Sequence, residues 1–172
     1  MRLAPLALCC AVLTPAAAQE FQPPNPGGAE RGTHIGLYGF GVRGGFDLSA
    51  DEQFVAGATL DFGQLMVPRL RFRPSVELSV FNGPNRYVGS MDLVYRFTPE
   101  ASTLIPYAGA GLAVAGRDDC GTDPDCPDLW LNFAAGVELR FRPAFNWLLE
   151  YRALDLFGRH RLYAGLTTRR GD

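Results

Sequence analysis

Between Arg69 and Phe81 the chain reads RLRFRPSVELSVF, and its side chains sort by parity. Leu70, Phe72, Val76, Leu78 and Val80 take one parity, and Arg69, Arg71, Arg73, Ser75, Glu77 and Ser79 the other. This is the period-2 pattern of a β-strand with two unlike faces; a helix would mix them. YVGSMDLVYRF repeats it, with Tyr87, Met91, Leu93, Tyr95 and Phe97 opposing Ser90, Asp92 and Arg96. So does LWLNFAAGVELRF, where Leu131, Phe133, Ala135, Val137 and Leu139 oppose Asn132, Glu138 and Arg140. Runs of this kind occupy residues 33–46, 53–62, 69–80, 86–97, 105–116, 129–141, 145–155 and 160–168.

Each run is roughly 10 to 14 residues long, whereas strands of soluble domains are most often about 5 or 6. A strand crossing a bilayer at its usual tilt needs about 9 to 11 residues, and lipid on one side accounts for an unbroken apolar parity. A sheet in hydrocarbon must close, because an open edge would leave N–H and C=O groups unpaired. The predicted fold is all-β, an eight-stranded antiparallel up-and-down β-barrel, transmembrane, within residues 33–172. A soluble lipocalin-like barrel is the alternative, and it would need the apolar parity turned inward.

The segment ahead of these runs, MRLAPLALCCAVLTPAAAQE, has one basic residue, an apolar stretch from Leu3 to Leu13 and small residues at Ala16 to Ala18. It reads as a secretory signal peptide over residues 1–18. Residues 19–32, rich in Pro, Gly and polar types, read as a flexible lead-in. With a periplasmic N-terminus, the external connections are Asp47–Glu52, Phe81–Asn85, Arg117–Asp128 and Leu156–Arg159; the internal ones are Gly63–Pro68, Thr98–Leu104 and Arg142–Ala144. The longest falls outside and the shortest inside, as in outer-membrane barrels. Every basic residue is Arg, and after cleavage 15 arginines face 18 acids. No basic excess exists to recruit nucleic acid.

The signal segment, the glycine- and aromatic-rich first strand HIGLYGFGVRGGF, the fifth strand IPYAGAGLAVAG and the seventh strand NWLLEYRALD with Glu150 and Arg152 on one parity carry a resemblance. Over residues 33 to 168 the chain resembles the small eight-stranded outer-membrane β-barrel proteins, the OmpA/OmpX-like group. The resemblance implies an outer-membrane location in a Gram-negative-type bacterium. As partners it implies outer-membrane lipid, lipopolysaccharide and the outer-membrane assembly machinery, with the chain acting as a monomer. One departure stands out: the family's last strand usually ends on an aromatic residue read by that machinery, whereas RLYAGLTTRRGD ends on Asp172.

In such a barrel the inward parity collects Arg43, Asp61, Arg69, Arg71, Arg73, Glu77, Asp92, Arg96, Glu138, Arg140, Glu150, Arg152 and Arg161. Eight strands leave room for side chains and no aqueous pore, so these charges must pair. Glu77, Glu138 and Glu150 are expected to be bridged by Arg71, Arg73, Arg140 and Arg152, with Arg96 part of the same polar core. Trp130, Phe97, Phe141 and Trp147 sit near strand ends, where aromatic girdles belong.

The expected function is a structural or surface-interaction role in the cell envelope; beside the soluble binding barrel, a lipid A-modifying barrel enzyme and a narrow channel are the other classes to weigh. His34 and His160 are the two histidines. Neither has a serine two positions on, the arrangement that resemblance to the lipid A deacylase type of such barrels would imply, with the histidine as base for the hydroxyl. No catalytic motif or cofactor fingerprint appears elsewhere, so a non-enzymatic role without a cofactor is expected.

The longest connection, RDDCGTDPDCPD, carries Cys120 and Cys126 with Asp118, Asp119, Asp123, Asp125 and Asp128. In an exported protein two such thiols are expected to form a disulfide. Zinc would need four ligands, and neither histidine lies nearby. Calcium finds hard oxygens here, but not at the spacing of an EF-hand. The loop reads as an acidic, disulfide-closed tip and the leading candidate for contact with cations, lipopolysaccharide or a partner.

Overall fold

The computed structural model of the chain describes residues 33–49, 53–67, 69–80, 84–99, 101–121 and 126–168. The segments expected to be a signal peptide (1–18) and a lead-in (19–32), together with Arg169 to Asp172, lie outside the described residues. Eight strands follow one another: β1 (His34–Asp47), β2 (Phe54–Gln64), β3 (Leu70–Val80), β4 (Arg86–Arg96), β5 (Leu104–Arg117), β6 (Asp128–Arg142), β7 (Phe145–Leu154) and β8 (Arg159–Thr168). Each pairs antiparallel with its neighbours in sequence, and β1 closes on β8 from Gly41↔Thr167 to Asp47↔Arg161. The sheet is a closed barrel without an edge, as the long alternating runs require.

Strand bounds fall within two residues of those read from alternation, because the turns are signalled locally. At β2–β3, Gly63 takes a positive φ of 95°, and its N–H donates to Asp61 Oδ1 at 3.0 Å. The β7–β8 turn places Asp155, Leu156 and Phe157 at positive φ, with Gly158 N–H donating to Asp155 O at 2.8 Å. The β1–β2, β3–β4, β5–β6 and β7–β8 connections define one end of the barrel, here the loop end. The chain enters and leaves at the opposite, turn end.

The two parities face opposite worlds. Along β3 the inward side chains Arg71, Arg73, Ser75, Glu77 and Ser79 are buried, while Val76 is 64% exposed. Met91, Leu112 and Leu149, on β4, β5 and β7, are likewise more than half exposed. An apolar wall of this extent around a closed sheet suits hydrocarbon rather than water. The apolar parity is therefore outside, opposite to what a lipocalin-like binding barrel needs. Phe97, Phe141 and Trp147 stand on this outer wall at the turn end, with Phe141 and Trp147 ring centroids 5.4 Å apart.

Trp130 departs from the girdle assignment. It shares parity with Asn132 and Ala134, so the pleat turns its indole inward, where it is 8% exposed. There it packs with Val88, Ala113, Ala115 and Leu154 in an apolar cluster under the loop end. A second inward cluster, Val94, Tyr107 and Leu148, sits toward the turn end. The inward face is thus polar along the barrel, with two apolar patches set into it. Arg69 also departs: it precedes β3 in the turn at φ 78°, outside the pleat, and its exposed guanidinium donates to Phe97 O at 3.3 Å.

Candidate functional site

The middle of the barrel is built from inward charged residues of every strand except the glycine-rich β5, which contributes a tyrosine. Six arginines are buried there, Arg43, Arg71, Arg73, Arg96, Arg152 and Arg161, with the carboxylates Asp47, Glu77, Asp92, Glu138 and Glu150. Asp61, whose side chain is 12% exposed, makes the acids six as well. Charges of this kind removed from water persist only when paired and hydrogen-bonded.

Glu77 is one hub. Its Oε1 accepts from Arg43 Nη2 at 2.6 Å and Arg152 Nη1 at 3.1 Å; its Oε2 accepts from Arg161 Nη1 at 2.7 Å and the Tyr163 hydroxyl at 2.5 Å. Glu150 is the other. Its Oε1 accepts from Arg43 Nη1 and, at 2.9 Å, Arg152 Nε, while Oε2 takes the Tyr107 hydroxyl at 2.6 Å. Arg73 stands 3.9 Å from that second oxygen and 3.8 Å from Glu138. Asp92 receives Arg152 Nη2 and, at 2.8 Å, Asn132 Nδ2. Ser75 and Ser90 bridge the arginines: their hydroxyls lie 2.7 Å apart, and each accepts from Arg43 or Arg152 at 3.0 Å.

Toward the turn end Asp61 accepts from Arg71 Nε at 2.9 Å and Arg96 Nη2 at 3.2 Å, and Arg96 reaches Glu138 at 3.5 Å. Toward the loop end Arg161 Nε donates to Asp47 Oδ2 at 3.0 Å. Arg43 lies over the Tyr163 ring at 4.7 Å and Arg73 over Tyr107 at 4.9 Å, so the phenols flank guanidinium groups as well as capping carboxylates.

The expected bridges are partly redistributed. Arg152 and Arg73 reach the glutamates, but Arg71 is drawn to Asp61 through the β2–β3 pairing, and Glu77 is held by Arg43, Arg152 and Arg161. Arg140 is half-buried toward the turn end, opposite Asn146. Tyr107, Tyr163, Asn132, Asn146, Ser75, Ser90 and Asp47 complete the network, and none was singled out from the sequence as a pairing group. Tyr163 shares parity with Arg161 and was legible on that ground. Tyr107 stands in a run of glycine and alanine that carries no charge to mark its face.

Space inside is scarce. A cavity of about 10 Å³ among Gly39, Gly41, Thr59, Asp61, Arg73, Arg96 and Glu138 has room for one water at most. With six positive and six negative groups interlocked, the middle of the lumen is a neutral plug.

At the loop end Cys120 and Cys126 are joined by a disulfide, their Cα atoms 5.6 Å apart. Asp118 Oδ2 accepts from Asn85 Nδ2 at 2.7 Å, and Asp119 pairs with Arg117 Nε at 3.0 Å. Asp128 opens β6 opposite Ala115. Asp123 and Asp125 lie outside the described residues. Among the described residues no three His, Cys, Asp or Glu side chains gather to hold a metal. His160 stands near the β7–β8 turn with Nδ1 2.6 Å from the Tyr151 hydroxyl, so its imidazole is engaged by a phenol. Ser49 accepts from the His160 backbone N–H at 3.2 Å.

No protein-family model matches the chain, and no curated protein matches its sequence. Solved structures do. The N-terminal β-barrel domain of Pseudomonas aeruginosa OprF is similar at 15% identity, covering 78% of this chain and 98% of that one, with a TM-score of 0.60. Neisserial surface protein A is similar at 18% identity, 78% and 96% coverage and a TM-score of 0.58. A de novo designed transmembrane β-barrel is similar at 16% identity, 80% and 98% coverage and a TM-score of 0.56. At these identities the likeness is one of fold: the chain has the architecture of eight-stranded transmembrane barrels of the OmpA/OmpX-like kind.

Proposed function

We propose that the protein is a non-enzymatic barrel of the outer membrane, closed to ions, which anchors in lipid and presents its loop end at the cell surface. The observation that carries this reading is the lumen, where six arginines and six carboxylates interlock around a cavity of only about 10 Å³. A pore needs a continuous aqueous path, and a neutral plug offers neither that path nor a net charge to select ions. The apolar outer wall suits contact with lipid and lipopolysaccharide acyl chains, and a barrel that closes on itself is consistent with a monomer that enters the membrane through the assembly machinery. Its contribution is to envelope integrity or surface contact, the latter through the disulfide-closed β5–β6 connection.

The fold alone decides no activity. The absence of an enzymatic role rests on the residues: His160 faces a phenol, and the buried carboxylates are held by guanidinium groups rather than poised for proton transfer. Two measurements test the proposal together. The expressed protein should fractionate with detergent-extracted outer membrane and show heat-modifiable migration, and in planar bilayers it should give no discrete conductance steps. Release by osmotic shock would overturn the membrane role; reproducible ion currents would overturn the closed lumen.

A further inference from the structure

The two ends of the barrel hold their arginines differently. At the loop end Arg117 pairs with Asp119 at 3.0 Å, and Arg159 stands 3.6 Å from Asp47. At the turn end Arg69 and Arg142 are exposed, and among the described residues no carboxylate pairs with either. Glu138, the acid nearest to Arg142 along the chain, is turned into the lumen, 3.5 Å from Arg96. Each exposed arginine stands beside outward aromatic rings. Arg142 closes the β6–β7 hairpin opposite Phe145 and directly follows Phe141, whose ring lies 6.4 Å from Phe145 and 5.4 Å from Trp147. Arg69 donates to Phe97 O at 3.3 Å, and the Phe97 ring meets Tyr95 edge-on at 5.5 Å. The same unit, an exposed guanidinium beside clustered rings, therefore occurs twice on one rim, because the β2–β3 turn and the β6–β7 turn face each other across the closed sheet.

We propose that these two units dock anionic phospholipids of the leaflet that meets the turn end, with the β6–β7 hairpin the larger of the two sites. Aromatic rings at the rim of a membrane barrel sit at the level of the lipid headgroups, so a guanidinium beside them stands among phosphates. The acyl chain of such a lipid finds a continuous apolar path, since the outward parity of β7 runs from Trp147 to Leu149. The guanidinium fork takes oxygens of the phosphate. Charge decides which phospholipid is preferred. The phosphodiester of phosphatidylglycerol brings no cation of its own, whereas phosphatidylcholine carries one that already balances its phosphate. An arginine without a carboxylate partner therefore favours the former. At the loop end carboxylates of the chain itself fill that place, so the preference belongs to the turn end. The proposal rests on the membrane reading given above and adds which lipid the rim selects.

The test uses full-length protein with Trp130→Phe, which leaves Trp147 as the only tryptophan. It is folded into vesicles of phosphatidylcholine with a minor fraction of phosphatidylglycerol, and folding of every variant is checked by heat-modifiable migration. Bromine is placed on the acyl chains of one lipid or the other at equal mole fraction, and quenching of Trp147 emission reports how much of that lipid lies at the hairpin. Brominated phosphatidylglycerol should quench as if enriched about fivefold over its bulk fraction. Arg142→Gln should return both lipids to their bulk fractions. Arg69→Gln, across the barrel, removes the same charge and should leave the preference at Trp147 in place. Equal quenching by the two lipids in the parent overturns the proposal and leaves the membrane reading standing. So does a preference that survives Arg142→Gln, or one that Arg69→Gln abolishes as fully, which would make it an effect of net charge. Quenching by neither lipid would overturn the membrane reading itself, so the two failures are distinct.

Discussion

Arg152 on β7 and Glu77 on β3 meet inside the barrel at 3.1 Å although 75 residues separate them in the chain. The same guanidinium also holds Glu150 and Asp92, so one side chain ties β7 to β3 and β4 across the lumen. Backbone ladders already join each strand to its two neighbours. What the charged network adds is contact between strands that are not neighbours, which resists ovalisation of a barrel that has no apolar core through its middle.

Glu77→Ala should therefore be among the most destabilising single changes in the protein. It removes the shared acceptor of Arg43, Arg152, Arg161 and Tyr163 and leaves buried positive charge unbalanced. Breaking a buried ion pair by deleting one partner costs about 3 to 5 kcal/mol. The measurement is the urea midpoint for unfolding from lipid vesicles. A Glu77→Ala midpoint equal to the parent's would mean that water replaces the carboxylate without penalty and that the network does not brace the barrel.

A second prediction concerns Gly136 on β6, which faces inward where Tyr107 crosses toward Glu150. A Cβ at Gly136 would meet the Tyr107 hydroxyl oxygen at 2.7 Å and Leu149 O at 2.5 Å. Gly136→Ala should cost about 1 to 3 kcal/mol through overpacking. Tyr107→Ala combined with it should recover the part of that loss owed to the phenol. A double-mutant cycle measures the coupling, and strictly additive effects would show that the phenol does not set the requirement for glycine.

The disulfide should act locally. It closes a short stretch between the ends of β5 and β6, outside the ladders that close the barrel. The chain-entropy model allows about 2 kcal/mol for a loop this small, and that stabilisation belongs to the tip. Cys120→Ser with Cys126→Ser should speed proteolytic cleavage between Arg117 and Asp128 severalfold while leaving heat-modifiable migration intact. Loss of the folded band would show instead that the staple is needed to form the barrel.

How far all this was legible in the sequence depended on charge. In β3, β4 and β6, arginines and acids alternate with aliphatic residues, and parity alone assigns inside and outside. In β5 the run IPYAGAGLAVAG has no charge before Arg117, so Tyr107 could not be recognised as a lumen group. Trp130 shows which of two signals prevails: its place near a strand end suggested an interfacial aromatic, but it shares parity with Asn132, and the pleat decides. Arg69 failed for the opposite reason, because a turn at positive φ lies outside the pleat and parity does not extend through it. Which acid each arginine chooses was out of reach of the sequence. Arg43 finds Glu150 107 residues away, a partnership set by the stagger of the closed sheet rather than by spacing.

The outer wall yields the prediction that separates a lipid-facing surface from a wet one. Leu149 lies midway along β7, 52% exposed, between the Trp147 end and the loop end; Leu129 stands at the loop-end start of β6, 70% exposed. In water, replacing either exposed leucine with arginine would be nearly neutral, since surface substitutions away from special features usually stay within about 0.5 kcal/mol. In a bilayer the cost depends on depth, about 2 to 4 kcal/mol at the midplane and about 0 to 1 near the interface. Leu149→Arg should therefore lower the stability of the protein in vesicles by several times the effect of Leu129→Arg, although Leu129 is the more exposed of the two. Equal and small losses at both positions would mean that the wall faces water, and the membrane reading would have to be abandoned.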